Sequence, residues 1–267
     1  MFNSHPCARN LKSNNLSGPI PAGIGNLASL EYINFDDNKL SGPIPVGIGN
    51  LNKLSWLYLT CNKLTGSIPN GMSSLNALNA LRMSGNHLDG TIPSFLNLDV
   101  MDLSNNALTG SIPSSIFSPD LVSLSLDGNY LNGTIPSSLG NVYGLMDLYL
   151  SNNAFTGSIP NSISSLVDLR YLELSNNSLT GSIPNSIFSL SSLVVLRLNR
   201  NHLNGTIPSS LQVLFFVEAL DLSYNALTGS IPNSISSIAF LTYLDLSYNA
   251  LTGFIPNSIS SLADLTE

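Results

Sequence analysis

Three histidines and two cysteines are the side chains of this 267-residue chain best suited to act as nucleophiles, general bases or metal ligands. His87 and His202 each follow an asparagine of a repeated pattern, far apart in the sequence, and His5 lies near the N-terminus. No Ser–His–Asp or Cys–His arrangement and no glycine-rich phosphate loop is recognisable. Cys7 and Cys61 are too few for a disulfide framework or a zinc site, and they occupy different positions of the repeat. The sequence therefore predicts no enzymatic activity, no cofactor and no metal site.

Aromatic and charged residues recur at two positions of a 24-residue pattern, and their chemistry is that of molecular recognition. Tyr and Trp bury a large area and carry a polar group, so they are favoured in interfaces. The first candidate patch is aromatic with one arginine: Tyr32, Trp56, Tyr58 and Arg82. The second candidate patch is mixed: Asp147, Tyr149, Tyr171, Glu173, Arg197, Asp221, Tyr243 and Asp245.

The same residues also have a plain structural interpretation. Aromatic residues form strands well, and Glu173, Arg197 and Asp221 could form a charge ladder that no partner touches. Asp221 beside Asp245 is harder to explain in this way, because neighbouring like charges repel. Both interpretations remain open from the sequence.

The element that positions these residues is the pattern Asn-x-Leu-x-Gly-x-Ile-Pro, which occurs eleven times. Eight of the ten intervals between copies measure 24 residues, and the other two measure 20 and 23. In the short interval, after Asn86, four residues are missing between the proline and the next strand. The asparagines are Asn14, Asn38, Asn62, Asn86, Asn106, Asn129, Asn153, Asn177, Asn201, Asn225 and Asn249.

Each copy predicts one coil of a stack. The Leu172-Glu173-Leu174 step has the period of two that is typical of a strand, with both leucines on one side. Glycine then permits a tight turn, and proline favours extended backbone. One coil cannot bury its leucines alone, so stacked coils must form a continuous core with a parallel sheet. A buried asparagine amide at each turn must satisfy its hydrogen bonds, which indicates a scaffold role for the asparagine column.

The consensus Leu-x-x-Leu-x-Leu-x-x-Asn-x-Leu-x-Gly-x-Ile-Pro resembles the plant-type leucine-rich repeat from about Arg9 to Glu267. That family includes plant receptor kinases, receptor-like proteins, polygalacturonase inhibitors and a few ice-binding proteins. The resemblance implies an α/β solenoid, a right-handed curved stack with a parallel β-sheet on the concave face and 3₁₀ or short helical segments on the convex face. It also implies a structural asparagine ladder and ligand binding on the concave face.

The predicted organisation is a short leader over 1–8 without a recognisable cap, then a solenoid over 9–267 with eleven coils and a truncated twelfth. Met1–Asn10 contains no apolar signal-peptide core, and no stretch of the sequence has the ~18 consecutive apolar residues that predict a membrane span. The resemblance therefore suggests a fragment of a receptor-like extracellular or cell-surface protein. Four Asn-x-Ser/Thr sequons permit glycosylation after secretion, at Asn15, Asn132, Asn176 and Asn204.

Composition narrows the class of partner. Charged residues make up 9% of the chain and the net charge is −7, so its nine basic residues supply no phosphate-binding surface. We therefore expect a protein or peptide ligand, with a co-receptor as a further partner, and no nucleic acid. The leading hypothesis is a receptor-like ligand-binding module. The alternatives are an inhibitor of a cell-wall-degrading enzyme such as polygalacturonase and, because Thr-Gly-Ser turns would form rows of hydroxyls, an ice-binding protein.

Two further features leave alternatives open. Phe215 and Phe216 lie on the outer side of their coil, where they could form a contact surface or fill local space in the core. Arg197 and Arg200 are near each other, but their spacing departs from the arginine pair with which peptide-binding relatives hold a terminal carboxylate. We do not assign that role to them.

Overall fold

The computed structural model describes residues 8–95, 97–262 and 264–265, and the chain divides into two compact units, Met1–Leu131 and Asn132–Glu267. Most of the predicted leader, including Cys7, lies outside the described residues, as do Thr266 and Glu267 of the predicted twelfth coil. The strands are β1 (Ala8–Asn10), β2 (Ser17–Gly18), β3 (Tyr32–Asn34), β4 (Lys39–Pro43), β5 (Trp56–Tyr58), β6 (Lys63–Ser67), β7 (Ala80–Arg82), β8 (His87–Asp89), β9 (Val100–Asp102), β10 (Thr109–Gly110), β11 (Ser123–Ser125), β12 (Tyr130–Thr134), β13 (Asp147–Tyr149), β14 (Ala154–Gly157), β15 (Tyr171–Glu173), β16 (Ser178–Ser182), β17 (Val195–Arg197), β18 (His202–Asn204), β19 (Ala219–Asp221), β20 (Thr228–Gly229), β21 (Tyr243–Asp245) and β22 (Ala250–Leu251).

The first unit is a stack of coils whose Leu-x-Leu steps form a parallel sheet, in the order β1-β3-β5-β7-β9-β11. Equivalent positions of successive coils pair, so Tyr32 lies beside Trp56 and Tyr58 beside Arg82. We call this the inner sheet. The turns after each ladder asparagine form smaller parallel sheets, in which β2, β4, β6 and β8 pair in that order and β10 pairs with β12.

The second unit repeats this arrangement. Its inner sheet has the order β13-β15-β17-β19-β21, with Glu173 beside Arg197 and Asp221 beside Asp245. The turn strands β14, β16 and β18 pair in sequence, and β20 pairs with β22. The predicted α/β solenoid is thus confirmed within each unit, as a stack of coils held by parallel strands.

The outer segments are 3₁₀ helices in the described part of the chain. Nine of the ten follow directly after a proline with an extended backbone, and Leu211–Val213, which follows Ser210, is the exception. Between β8 and β9, where the coil is four residues short, no helix is formed by the described residues. The helices are Ala22–Asn26, Val46–Asn50, Asn70–Ser74, Ser114–Ile116, Ser137–Asn141, Asn161–Ser165, Asn185–Ser189, Leu211–Val213, Asn233–Ser237 and Asn257–Ser261. None of them is long and apolar enough to cross a membrane.

The core of each unit consists of columns of aliphatic side chains. The strand leucines, such as Leu57 in the first unit and Leu172 in the second, are fully buried, and so are the apolar residues of the outer helices such as Ile187. Burying one such side chain contributes about 1.5–3 kcal/mol, and the contribution recurs through the coils between the first and the last. The repeated columns therefore fix which strand residues point inward and which point to solvent.

The ladder asparagines lie just after the C-terminal ends of the inner strands, and each links its coil to a neighbouring coil. In the second unit, Asn177 Nδ2 lies 3.0–3.2 Å from three carbonyl oxygens, those of Leu150, Leu174 and Ser175. Its Oδ1 accepts a 3.0 Å hydrogen bond from the Phe155 N–H. Asn62 makes the equivalent bonds in the first unit. Each amide thereby hydrogen-bonds backbone groups of its own coil and of the preceding coil.

The residue just before each ladder asparagine has a left-handed backbone with a positive φ. We call this position the left-handed column. It holds Ser13, Asp37, Cys61, Gly85, Asn105, Gly128, Asn152, Asn176, Arg200, Tyr224 and Tyr248. Glycine, asparagine and aspartate adopt this conformation readily, whereas bulky residues seldom do.

Candidate ligand-binding face

The twelve candidate residues from the sequence all lie in strands of the inner sheets, on the side opposite the leucine core. We call this side the sheet face. Eleven of the twelve are at least partly exposed. Asp221 is the exception, because only 7% of it is exposed. The prediction of an accessible Asp221 is therefore corrected, and we leave this residue out of the candidate site.

The first unit places Tyr32, Trp56, Tyr58 and Arg82 in one cluster. The ring centroid of Tyr32 lies 6.4 Å from that of Trp56 and 5.7 Å from that of Tyr58, and both pairs meet edge to face. The Arg82 guanidinium carbon lies 5.3 Å from the centroid of the Tyr58 ring, within the range of a cation–π interaction. The cluster forms a rigid, half-exposed aromatic surface with one cation at its side.

Polar groups of β3 and of the turn after it lie near this cluster. Asn34 donates from Nδ2 to the Tyr32 hydroxyl at 2.9 Å, and Asp36 Oδ1 accepts a 2.7 Å hydrogen bond from the Thr60 N–H. Burial raises the pKa of Asp36, although the Thr60 bond and the nearby Lys12 act to lower it. Burial also raises the pKa of the Tyr58 hydroxyl, opposed by the charge of Arg82. At neutral pH Tyr58 is therefore a neutral group that can donate a hydrogen bond.

The second unit brings together a tyrosine pair and an ion pair. Tyr149 and Tyr171 stack with centroids 6.2 Å apart. Arg197 Nη1 lies 2.8 Å from Glu173 Oε1, and the Arg197 side chain remains 44% exposed. These residues offer aromatic faces beside a partly open guanidinium and a carboxylate.

The expected charge ladder extends over only one of its two steps. Arg197 pairs with Glu173, whereas Asp221 Oδ1 accepts bonds from the N–H and the hydroxyl of Ser223, at 3.0 and 2.7 Å. Asp245 Oδ1 likewise accepts a 2.9 Å bond from the Ser247 N–H. Burial acts to raise the pKa of Asp245, but hydrogen bonds from Ser247 and Ser223 outweigh it and hold the pKa below its ordinary value. These bonds offset the repulsion that the sequence suggested between the two aspartates.

Sequence reasoning missed a stack of side chains in the left-handed column of the second unit. The rings of Tyr224 and Tyr248 are nearly parallel with centroids 4.0 Å apart, and the Arg200 guanidinium carbon lies 4.6 Å from the Tyr224 centroid. Tyr248 is 69% exposed. A side-chain hydrogen bond with Tyr248 and burial raise the pKa of the Tyr224 hydroxyl. The available signal was the replacement, in three consecutive coils, of the residue types that accept a left-handed backbone.

The four sequon asparagines, Asn15, Asn132, Asn176 and Asn204, are all exposed. Asn176 Nδ2 donates to Asn152 Oδ1 at 3.0 Å. His87 and His202 lie exposed on the turn strands. Within residues 8–95, 97–262 and 264–265, no group of three His, Cys, Asp or Glu side chains could hold a metal ion. The sheet face offers aromatic rings, the Glu173–Arg197 ion pair and hydroxyl groups, which are suited to binding a ligand.

Comparison with known proteins gives family matches along most of the chain. Models described as "Leucine rich repeat" match residues 119–179 and 191–251, and 29–51, 53–75 and 97–118. No functionally curated protein matches the sequence.

Among solved structures, the plant peptide hormone receptor RGFR1 in complex with RGF2 shares 36% identity at a TM-score of 0.92 over 97% of this chain. The Arabidopsis receptor kinase HAESA, solved with the peptide hormone IDA and the co-receptor SERK1, shares 28% identity over 96% of this chain at a TM-score of 0.67. A plant ice-binding protein shares 33% identity, covers 83% of this chain and 73% of its own length, and has a TM-score of 0.75. The chain spans 42% of the RGFR1 chain and 56% of the HAESA chain.

Proposed function

Since the chain belongs to the leucine-rich-repeat family, we propose that it is a non-catalytic binding module whose sheet face recognises a peptide. RGFR1 and HAESA, which it resembles, were each solved with a peptide hormone. By the same likeness the proposed location is extracellular, and a co-receptor is a second proposed partner. The proposal names the class of ligand, a peptide, and the surface that binds it, the sheet face.

The observation that carries the proposal is the aromatic cluster of the first unit. A scaffold strand requires only that its leucines point inward, and the neighbouring coils carry Ala80, Val100 and Ser123 at the position of Trp56. Tyr32, Trp56 and Tyr58 nevertheless hold one another edge to face while each remains partly exposed. Rigid aromatic side chains lose little conformational freedom on binding and bury much area, which favours them as anchors for a ligand.

The face of the second unit offers complementary groups for the polar part of a peptide. The Tyr149–Tyr171 pair lies beside the Glu173–Arg197 ion pair, which presents both signs of charge within one strand spacing. A peptide carbonyl or carboxylate can approach the exposed guanidinium, and an N–H or ammonium group can approach Glu173. Each unit thus offers its own set of contacts.

The test begins with selection of peptides from a random dodecapeptide library displayed on phage, using the folded chain as bait. The dissociation constant of each recovered peptide is then measured by calorimetry. For peptides bound through the first unit, we expect Trp56→Ala to weaken binding by about tenfold or more, because a central aromatic anchor is lost. Val46→Ala, at an exposed outer position, is the matched control. Recovery of no peptide, or equal binding by Trp56→Ala and wild type for all peptides, contradicts the proposal.

A charge exchange tests the second unit. Arg197→Glu alone places two carboxylates together, whereas Arg197→Glu with Glu173→Arg restores the ion pair in reversed order. For peptides whose binding depends on this face, we expect the exchanged variant to unfold like wild type but to lose binding. Retained affinity in the exchanged variant would show that the ion pair only stabilises the sheet.

Ice binding is the second candidate function, because one of the similar structures is a plant ice-binding protein and the turn sheets carry threonines in rows. The hydroxyls of Thr109, Thr156 and Thr228 donate to the carbonyl oxygens of Gly90, Gly133 and Gly205, which fixes their orientation. Pro43, Asp89, Asn132 and Phe254 interrupt the rows. Inhibition of ice recrystallisation by the chain, lost when Thr156 and Thr180 are replaced by Tyr, would favour this function; absence of inhibition would eliminate it.

A further inference from the structure

Three phenylalanines form an exposed cluster in the second unit, away from the sheet face. The ring centroids of Phe215, Phe216 and Phe240 lie 5.3–6.3 Å apart, and each side chain is about half exposed. The coils before them carry Ser191 and Ser192 at the positions of Phe215 and Phe216. Since the repeat is completed by serine there, packing of the core does not require phenylalanine, and the cluster is an apolar patch on a polar surface.

This cluster forms one wall of a groove beside the beginning of the inner strands. The groove has a volume of about 500 Å³, and its lining residues come from five successive coils. We call it the Phe groove. Its lining comprises Met146, Asp168, Arg170, Ser192, Val194, Phe216, Glu218 and Phe240. Five coils stacked about 4.8 Å apart span roughly 19 Å, which matches an extended peptide of about six residues rather than a single small cation.

The charged residues of the groove indicate the sign of the charge that its ligand should carry. Asp168 and Glu218 are exposed and form no ion pair within the described residues. The one cation, Arg170, has its guanidinium carbon 5.9 Å from the centroid of the Tyr171 ring, so it lies against an aromatic face. Two open carboxylates in the same groove lining as Phe216 and Phe240 favour a cationic group with an apolar neighbour.

We propose that the Phe groove binds an extended segment of a partner protein in which lysine or arginine residues alternate with aromatic or large aliphatic residues. The apolar side chains of the segment pack against Met146, Val194 and the phenylalanine rings, while its cations pair with Asp168 and Glu218. The groove is a second binding surface and is independent of the peptide proposed for the sheet face.

A synthetic peptide provides the test: acetyl-Gly-Lys-Phe-Lys-Leu-Lys-Gly-amide, fluorescently labelled and titrated with the folded full chain by anisotropy. One control peptide carries Glu in place of each Lys, and the other carries Ser in place of Phe and Leu. We expect saturable binding of the first peptide and at least about tenfold weaker binding of both controls, since each control removes one class of contact. No binding of the first peptide, or equal binding of the Glu peptide, would overturn the proposal.

Variants of the chain locate the binding. Phe216→Ser with Phe240→Ser should weaken binding at least about tenfold, whereas Val167→Ser, at an exposed position outside the lining, should leave it unchanged. Asp168→Asn with Glu218→Gln keeps every ring and should weaken binding about threefold or more and reduce its salt dependence. This second pair decides the outcome if the serine variant does not fold. Full binding by the amide variant overturns the proposal. So does a dimer in sedimentation that the serine variant abolishes, because a second copy is then the occupant.

Discussion

Asn176 and Asn177 are adjacent residues of the same type, but they have different structural roles. Asn177 is buried and its amide bonds to groups in three segments of backbone. Asn176 is exposed, has a φ of 53°, and its side-chain amide donates a hydrogen bond to the equivalent Asn152. The ladder position therefore requires the side-chain amide of asparagine, whereas the left-handed position requires only a residue that can adopt a positive φ. That difference explains why the first is constant in type and the second ranges from glycine to tyrosine.

The largest effect is expected for Asn177→Ala. Three carbonyl oxygens each lose one of two hydrogen bonds, and the Phe155 N–H loses the acceptor Asn177 Oδ1. A buried polar group left without a partner costs about 1–3 kcal/mol. Because water reaches some of these groups in the variant, we expect a loss of about 3 kcal/mol in the free energy of unfolding, measured with urea. Asn176→Gly is the matched control and should change it by less than about 0.5 kcal/mol. Similar losses from both substitutions would contradict the distinction between the columns.

An intermediate effect is expected where the left-handed column carries tyrosine. A bulky residue in this conformation costs about 1–3 kcal/mol, and stacking of Tyr224 on Tyr248 returns about 0.5–1.5 kcal/mol. Tyr224→Asn with Tyr248→Asn should therefore stabilise the chain by about 1 kcal/mol in urea unfolding. If the double variant is instead less stable than wild type, the stack with Arg200 outweighs the backbone strain.

The smallest effect concerns Asp36, which follows β3, and Asp245, the last residue of β21, because the interactions that shift the pKa of each carboxyl partly cancel. The pKa of Asp36 is raised by burial above 3.8, so its contribution to stability falls as pH rises through the folded-state pKa. The pKa of Asp245 is lowered by serine hydrogen bonds, so its contribution is present above 3.8 and is lost as pH falls through its folded-state pKa. Thermal unfolding of Asp36→Asn and Asp245→Asn from about pH 3 to pH 7 should show opposite trends relative to wild type. Parallel trends would refute the assignment.

The repeat made most of the fold predictable. The spacing of the leucines defines which strand positions point to the core, and the inner strands lie where the Leu-x-Leu steps predict them. Periodicity also placed Tyr32, Trp56 and Tyr58 on one face, since residues 24 apart become neighbours in the sheet. Cluster geometry then follows from side-chain size.

The conformations of individual side chains could not be predicted from the sequence. Asp221 occupies a position that the pattern assigns to solvent, but its carboxylate turns back to Ser223 and is buried. The stacking of Arg200, Tyr224 and Tyr248 was not predicted, because it depends on a left-handed backbone that the residue types at these positions do not favour. For Phe215 and Phe216 the sequence left a choice between core and surface, which exposures of 48% and 54% settle in favour of the surface.

The short coil between Asn86 and Asn106 has a consequence for how such a gene can change. Although four residues are missing from its outer segment, Asn106 keeps its three carbonyl partners and accepts the Leu88 N–H at 3.0 Å. The hydrogen bonds of the ladder asparagine are thus kept in this coil although its outer segment is shorter. Unequal exchange between copies of the repeat can therefore delete, duplicate or swap outer segments while the stack survives. Surfaces such as the Phe groove can arise and be lost in this lineage by recombination, without the many point substitutions that a non-repeating fold would need.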